Sequence, residues 1–346
     1  MRVGFDTSPL VRPFPPGIVR LVRSAVEALE ERGRLEVVRL EPRPEEPLSR
    51  WRGALGSRVE RDRLHGIHSF LSAFPRGGSG RRVQTIHELP WRHGCKENAD
   101  WRHKAWAAFG PLFADRVVTA TEFTARDLRR RVLPGANKLR VLPWGVGEEF
   151  CEEPPAGVVD EVLLGKYRIP EGPFLIAPGA VRAKKRLALC VRGLARLHAT
   201  GGPKANLIVS GEHTADLRSD LGLVQKLGLS RFVSTPGTIP EADWPGLLRL
   251  ASGVCVLSAS EGFALPVLEA LGCGTPVVVP ADSAQAEVGG PGAIRVDAQD
   301  ADSVADGMRR AIEGREALRY VLPDRAREFP WSRTAEGIEA VWEELA

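Results

Sequence analysis

Short apolar runs alternate with helical stretches along almost the whole chain, and this alternation limits the possible fold more than any other feature. In the N-terminal part, strands are predicted at 2–5, 35–40, 83–86, 117–120 and 140–142. After the first strand, apolar residues recur at helical spacing from Ile18 to Leu29, and Gly33 ends the predicted helix. Because alternating strands and helices form parallel sheets, the sequence predicts an α/β fold.

The pattern stops and restarts near the middle of the chain. Residues 145–157 are rich in Gly, Glu and Pro, and we interpret them as a linker. The second series has predicted strands at 174–177, 207–210, 232–235, 254–257 and 276–279. A length of 346 residues suits two domains of roughly 100–200 residues each. We predict two Rossmann-like, doubly wound parallel-sheet domains, 1–150 and 151–330, which face each other across a cleft, with helix 331–346 packing back on the first.

Composition and charge exclude several other classes of protein. Hydrophobic residues make up 43% and charged residues 27% of the chain, which excludes a disordered chain and a small disulfide scaffold. The sequence contains no apolar run of membrane-spanning length, no secretory signal and no Cys-x-x-Cys pair, so we expect a cytoplasmic protein with reduced thiols. The net charge is only +4, but arginines cluster at 50–63 and 126–131. Such clusters are either solvated helix faces or surfaces that attract an anionic partner.

The most informative segment is 258–276, which follows a predicted strand. Pro266 suits the first turn of a short helix, predicted at 266–271. A helix start at a strand tip is an anion site, because its backbone N–H groups point outward. Glu261 and Glu269 flank this site, and carboxylates beside a phosphate are favourable only where they accept hydrogen bonds, as from sugar hydroxyls. A nucleotide sugar carries both phosphates and hydroxyls.

Glu261 and Glu269, with Gly-Phe-Ala-Leu-Pro after the first, resemble the signature of glycosyltransferase family 4. Its members are retaining transferases of the GT-B fold, and the resemblance leans toward mannosyltransferase-like members. It implies that Glu269 binds the ribose of the donor, and that Glu261 contacts the donor sugar and is catalytic. The common family form has Gly where this chain has Ala264. The further donor-binding residues that the resemblance implies in this domain are Gly262, Phe263, Ala264, Leu265, Thr238 and Ile239.

The loop after the first strand of the second domain also resembles the family pattern. This resemblance implies that Gly179 and Lys185 bind the donor, with the lysine neutralising its diphosphate. Many members have Arg at the position of Ala180, and Arg182 or Lys184 is the alternative cation here.

Two segments of the first domain match the family as well. Residues 16–20 resemble its Gly-Ile-x-Arg turn, and residues 85–89 resemble its Ile-His-Asp-Leu segment. These matches imply a donor contact at Gly17 and a catalytic role for His87 on the acceptor side. Asn is common in the family where this chain has Trp144.

We expect neither a metal site nor nucleic-acid binding. The spacing of His87, His93, Cys95 and His103 matches no usual zinc framework, and Asp300 is better explained as a helix N-cap. Aromatic and basic residues do not interleave in the way that would favour a nucleic-acid surface.

The sequence thus predicts a retaining, metal-independent glycosyltransferase without a cofactor. It would move a sugar from a GDP- or UDP-sugar to a hydroxyl of a glycan, lipid-linked or small-molecule acceptor, in glycan, glycolipid or glycoside synthesis. The arginine clusters add the hypothesis of peripheral contact with the inner membrane face. The alternatives are a GT-B nucleotide-sugar 2-epimerase and a non-catalytic nucleotide-sugar-binding protein. An epimerase would change the donor without any acceptor.

Overall fold

Two six-stranded sheets, each with only parallel strand pairs, organise the part of the chain that the structure describes. This computed structural model describes residues 1–73, 78–96, 101–131, 136–180 and 182–346. The chain divides into two units, here called unit 1 (Met1–Gly145 with Phe329–Ala346) and unit 2 (Val146–Glu328).

The sheet of unit 1 has the strand order β2-β1-β3-β4-β5-β6. Its strands are β1 (Arg2–Asp6), β2 (Glu36–Leu40), β3 (Gly66–Ser69), β4 (Arg81–Thr85), β5 (Arg116–Thr119) and β6 (Leu139–Val141). Val3 and Phe5 of β1 are fully buried. Gly4 lets the leucines of two neighbouring segments approach, since a Cβ there would lie 2.7 Å from Leu40 and 2.8 Å from Leu64.

The helices of the first 145 residues are α1 (Ser8–Val11), α2 (Pro16–Arg32), α3 (Leu48–Arg61), α4 (Trp101–Phe113) and α5 (Glu122–Arg131). Pro16 occupies the first position of α2, where its missing N–H leaves no helical bond unmade. The helix ends as predicted at Gly33, which has a left-handed φ of 65° and donates its N–H to the Leu29 carbonyl. The apolar face of α2, including Val22 and Val26, is buried.

The central strand β3 was not predicted from the sequence. Its four residues, Gly66 to Ser69, are all buried, although the run is short and contains a histidine and a serine. His68 is buried beside the rings of Phe5 and Phe70, and burial lowers its pKa to about 3. The strand is therefore held by its neighbours and not by apolar periodicity.

The sheet of unit 2 has the strand order β12-β11-β10-β7-β8-β9. Its strands are β7 (Phe174–Pro178), β8 (Asn206–Ser210), β9 (Val233–Gly237), β10 (Gly253–Cys255), β11 (Val277–Pro280) and β12 (Ala293–Val296). Its helices are α6 (Val162–Lys166), α7 (Leu187–Ala199), α8 (Ala215–Lys226), α9 (Trp244–Leu250), α10 (Leu265–Gly272), α11 (Ala284–Gly289), α12 (Ala301–Leu318) and α13 (Leu322–Arg327). The short helix predicted at 266–271 is confirmed as α10. The Asp300 carboxylate caps α12 as predicted, accepting from the N–H groups of Asp302 and Ser303.

Buried polar groups fix the segments around β10 and α10. Arg249 and Asp160 form a bidentate ion pair with distances of 2.5 and 3.0 Å, and both side chains are almost fully buried. The Arg315 guanidinium of α12 donates to the carbonyls of Arg249, Ala251 and Gly274. These bonds hold α12 against the start of β10 and the turn after α10, so the loops at those elements have a firm base.

The final helix, α14 (Trp331–Glu343), belongs to unit 1 and packs on α2. Ile338 and Trp342 of this helix are fully buried. Glu339, itself buried, accepts a hydrogen bond from Arg32 at the end of α2. Gly145 allows the close approach of this segment, since a Cβ there would lie 2.6 Å from the backbone of Trp331.

Candidate functional site

The candidate residues of unit 2 follow the carboxyl ends of neighbouring strands. From β7 the strands run outward to β8 and β9, and the chain then returns to β10 on the other side of β7. Ligands of such sheets bind outside the carboxyl ends of the strands, at the point where the order reverses. Gly179 follows β7 and Ser258 to Glu261 follow β10, so both predicted loops lie at this point. Thr238, which is exposed, and Ile239, which is partly buried, follow the edge strand β9.

Lys185 and Glu261 form an ion pair at this edge. The Nζ atom of Lys185 lies 2.6 Å from Oε1 of Glu261, and both side chains are largely buried. The two loops are also joined by their backbones, since the N–H of Ala259 donates to the carbonyl of Lys184. Burial alone would raise the pKa of Glu261, but the charges of Lys185 and Lys184 lower it to about 2. The carboxylate is therefore charged at neutral pH and sits against a fixed cation.

Glycine is required beneath the lysine. Gly179 has a φ of +98°, which L side chains rarely adopt, and a Cβ there would lie 3.4 Å from Nζ of Lys185. The loop after β8 approaches as closely, because a Cβ on Gly211 would lie 2.3 Å from the Gly179 backbone. The lysine ammonium thus lies over exposed main chain at the tip of β7, an arrangement suited to an anion.

The loop between Glu261 and α10 has a strained backbone. Ala264 precedes the first residue of the helix with φ 67° and ψ 67°, a left-handed conformation that costs a non-glycine residue roughly 1–2 kcal/mol. Phe263 and Ala264 are buried, whereas Gly262 and Leu265 are partly exposed. A glycine, which the resemblance gives as the common family residue at this position, would adopt this conformation without the strain.

We expect Ala264→Gly to stabilise unit 2. Relief of the left-handed strain outweighs the larger backbone entropy of glycine in the unfolded chain, for a net gain of about 0.5–1 kcal/mol. The matched control is Ala270→Gly, a buried position inside α10, which should lose about 1 kcal/mol or more. Thermal denaturation measures the stability of both variants, and equal losses of stability in the two would contradict the strain at Ala264.

Glu269 lies one turn into α10 and is only 2% exposed. Its Oε2 accepts a hydrogen bond of 2.7 Å from the indole N–H of Trp244, the first residue of α9. The sequence analysis did not identify Trp244, because it is an apolar residue in a predicted helix and nothing in its spacing indicates a carboxylate partner. The bond fixes one oxygen of Glu269 in a buried position.

The remaining candidates, Gly17 and His87, belong to unit 1. Gly17 is the second residue of α2, and in the described part of the chain nothing lies within 4 Å of where its Cβ would be. His87 follows β4, and its Nε2 lies 2.7 Å from the carbonyl oxygen of Phe70. Burial lowers the pKa of His87, so the ring is neutral at pH 7, donates from Nε2 and offers Nδ1 as an acceptor. The ring also faces the buried Trp144 at a centroid distance of 6.0 Å.

No three His, Cys, Asp or Glu side chains in the described ranges are grouped to hold a metal ion. Within those same ranges, no helix has both the length and the apolar character to cross a bilayer. All five cysteines, each of them described, are free thiols. A cavity of about 380 Å³ beside Phe174 lies at the opposite end of β7 from Gly179 and contains no candidate residue.

The parallel sheets of the two units define an α/β protein of the GT-B class, and solved structures share this fold over their full length. Sucrose-phosphate synthase (tll1590) from Thermosynechococcus elongatus is similar with a TM-score of 0.80 at 20% identity, over 100% of this chain and 99% of that one. Anabaena Alr3699/HepE in complex with UDP and glucose gives a TM-score of 0.74 at 15% identity, over 99% of this chain and 100% of that one. The predicted fold class is confirmed.

The sequence comparisons point to one family. Residues 161–328 match the model of the glycosyl transferases group 1. The D-inositol 3-phosphate glycosyltransferase of Salinispora tropica is 30% identical over 260 residues, which cover 67% of this chain and 51% of that protein. The chain spans about half the length of the curated relatives it matches. Segment 161–328 is thus similar to the glycosyl transferases group 1 family, as the sequence resemblance predicted.

Proposed function

We propose that this protein is a retaining, metal-independent glycosyltransferase that moves a sugar from a GDP- or UDP-sugar to an acceptor hydroxyl. The observation that carries the proposal is the Lys185–Glu261 pair, 2.6 Å apart at the point where the strand order of unit 2 reverses. A fixed cation over a glycine backbone suits a diphosphate, and a carboxylate beside it suits the hydroxyls of the attached sugar.

Each candidate has a role in this proposal. Lys185 and the backbone at Gly179 bind the diphosphate, and Thr238 and Ile239 contact the nucleoside. Glu269 binds the ribose, and its bond with the Trp244 indole orients the carboxylate. In the retaining reaction, the bond from the anomeric carbon to the phosphate oxygen breaks, and the acceptor oxygen bonds to the same face. The departing phosphate takes the acceptor proton, so stabilising the diphosphate is the main catalytic contribution of the chain.

The loop residues Gly262, Phe263, Ala264 and Leu265 shape the donor side around Glu261. In unit 1, Gly17 contacts a donor phosphate at the start of α2, where nothing in the described part of the chain lies within 4 Å of the position that a Cβ would take. His87 acts on the acceptor side with its Nδ1 lone pair. An anionic acceptor agrees with the arginine-rich helices of this unit and with the phosphorylated substrate in the name of the Salinispora relative. The proposed location is the cytoplasm, with peripheral contact at the inner membrane face.

Product analysis tests the proposal. The chain is incubated with GDP- and UDP-sugars, with and without acceptors such as inositol phosphate. We expect release of nucleoside diphosphate that depends on the acceptor, and a glycoside with the anomeric configuration of the donor in its NMR spectrum. A product of inverted configuration would exclude the retaining mechanism. Conversion of the donor without any acceptor would identify the protein as an epimerase.

Transfer should survive excess EDTA, with its rate unchanged within about twofold. The physical reason is that a fixed lysine charge is already present where a divalent cation would otherwise neutralise the diphosphate. The rate is measured before and after chelation, and again after Mg²⁺ or Mn²⁺ is added. Loss on chelation with recovery on metal addition would reject metal independence and direct attention to carboxylates such as Asp302.

A further inference from the structure

Helix α4 exposes four of its five large apolar side chains. Trp101 is 73% exposed, Phe109 61%, Leu112 48% and Phe113 46%. Helical periodicity places Phe109 and Leu112, which follow Trp101 by eight and eleven residues, on the same stripe of the helix as Trp101. Phe113 lies at the border of this stripe. Four large apolar side chains exposed along one short helix differ from singly exposed apolar residues, and exposed apolar surface of this kind marks interaction surfaces.

The opposite face of α4 explains why these residues cannot turn inward. The helix packs on unit 1 through small residues, with Ala107, Gly110 and Pro111 buried. The approach is tight, because a Cβ on Gly110 would lie 2.4 Å from the Gln84 side chain. Gln84 also donates to the carbonyl of Trp106, which fixes the rotation of the helix. The apolar stripe is therefore held toward solvent by the packing of the buried face.

Positive charge borders the stripe. The sequence of α4 contains no acidic residue, and helical periodicity places Arg102 and Lys104 on either side of Trp101. The guanidinium of Arg102 lies 5.5 Å from the centroid of the Trp101 ring. The exposed stripe therefore combines Trp, Phe and Leu with flanking Lys and Arg, the side chains that insert into a membrane interface and attract anionic lipids, while the opposite face of α4 packs on unit 1.

Helix α5 extends this basic surface. Strands β4, β5 and β6 follow one another in one direction across the sheet, so right-handed crossovers place α4 and α5 on the same face. Residues of both helices share one apolar cluster, among them Ala107 of α4 and Leu128 of α5. The outward residues of α5 include the exposed Arg126 and Arg130, and Arg129, which is also exposed but pairs with Glu122 of the same helix at 2.6 Å.

We propose that α4 is a docking surface for an anionic lipid bilayer, with Trp101, Phe109 and Leu112 entering the interface and the flanking cations facing lipid phosphates. This inference specifies the membrane contact that is part of the proposed function, and it rests on that part alone. A second copy of the chain fits the patch less well. The four side chains offer roughly 500 Å², below the roughly 800 Å² that each partner buries in a stable interface, and two such basic borders would repel.

Vesicle binding by the full chain tests the proposal. Sedimentation with vesicles containing about 30% phosphatidylglycerol is compared with sedimentation with phosphatidylcholine vesicles. We expect at least about 10-fold tighter binding to the anionic vesicles. Trp101→Ser/Phe109→Ser should weaken it by at least about 10-fold, and Arg102→Gln/Lys104→Gln by roughly 10- to 30-fold. All of these substitutions are at exposed positions, and thermal denaturation verifies that each variant folds.

The matched control is Tyr320→Ser/Val321→Ser, a pair of unit 2 that is 63% and 61% exposed, which should leave vesicle binding unchanged. Equal binding by wild type and the α4 variants, or equal loss in the control, would overturn the proposal. A wild-type dimer that becomes monomeric in the Trp101/Phe109 variant would assign the face to a second copy and overturn it too. The readout is lipid binding and not transfer, so an inactive transferase that still binds vesicles refutes only the proposed reaction.

Discussion

Replacing Lys185 by methionine is expected to weaken the binding of a nucleoside diphosphate by about 100-fold, with the affinity for the free nucleoside unchanged within about threefold. Methionine keeps a stem of the same length, with a thioether sulfur in place of Cδ, and removes the ammonium group that lies 2.6 Å from Glu261. The diphosphate loses its cation, and the largely buried carboxylate left behind repels the anionic ligand. Isothermal titration with GDP, UDP and the corresponding nucleosides measures the difference.

Two further variants separate the roles of the lysine. Lys226→Met removes an exposed lysine at the end of α8 and should change neither affinity. Lys185→Met/Glu261→Gln removes the carboxylate together with the cation. If the lysine binds the diphosphate, this double variant stays weak. If the lysine only neutralises Glu261, the double variant regains the affinity, and the assignment of Lys185 to the diphosphate is wrong.

Glu269→Ala should weaken the binding of nucleoside and of nucleoside diphosphate by the same factor, about 30-fold, because its proposed partner is the ribose common to both. The variant also leaves the buried Trp244 indole without its acceptor, so the free energy of unfolding should fall by about 1–3 kcal/mol. Titration calorimetry and thermal denaturation give the two quantities independently.

Trp244→Phe is the matched control for Glu269, since it removes the same hydrogen bond from the donor side and keeps the carboxylate. It should lower stability but reduce nucleoside affinity by less than about threefold. Equal losses of affinity in Trp244→Phe and Glu269→Ala would mean that Glu269 serves the packing of α9 against α10 and not the ribose. Because Glu269 is only 2% exposed, its replacement can affect both packing and ribose binding, and the comparison with Trp244→Phe separates these two effects.

The sequence predicted the strands with strong local signals and the helix α10, because Pro266 and the apolar runs carry their structural preference locally. It did not predict β3, whose residues Gly66 to Ser69 are made a strand by burial among neighbours. The strand β12 escaped prediction for a similar reason, since Arg295 is exposed at its centre and interrupts the apolar run. Central position in a sheet is a tertiary property that a short segment does not reveal.

The candidate site also has features that the sequence could predict and features that it could not. The pairing of Lys185 with Glu261 follows from two loops at adjacent strand ends, which the spacing of motifs could indicate in advance. The bond from Trp244 to Glu269 and the strain at Ala264 depend on how α9 and α10 meet, so they became visible only in three dimensions. The same is true of α4, because its exposed face is set by the packing of Ala107, Gly110 and Pro111 on unit 1.

The return of α14 to α2 has a consequence for the order of folding. All of Val146–Glu328 stands between the two pieces of unit 1 in the chain, and at roughly 5–20 residues per second a ribosome takes about 10–40 s to make that stretch. Unit 2 can therefore fold during synthesis while the surface of α2 that α14 covers is still bare. Unit 1 is started first and completed last, and a chaperone that shields α2 would act within that interval.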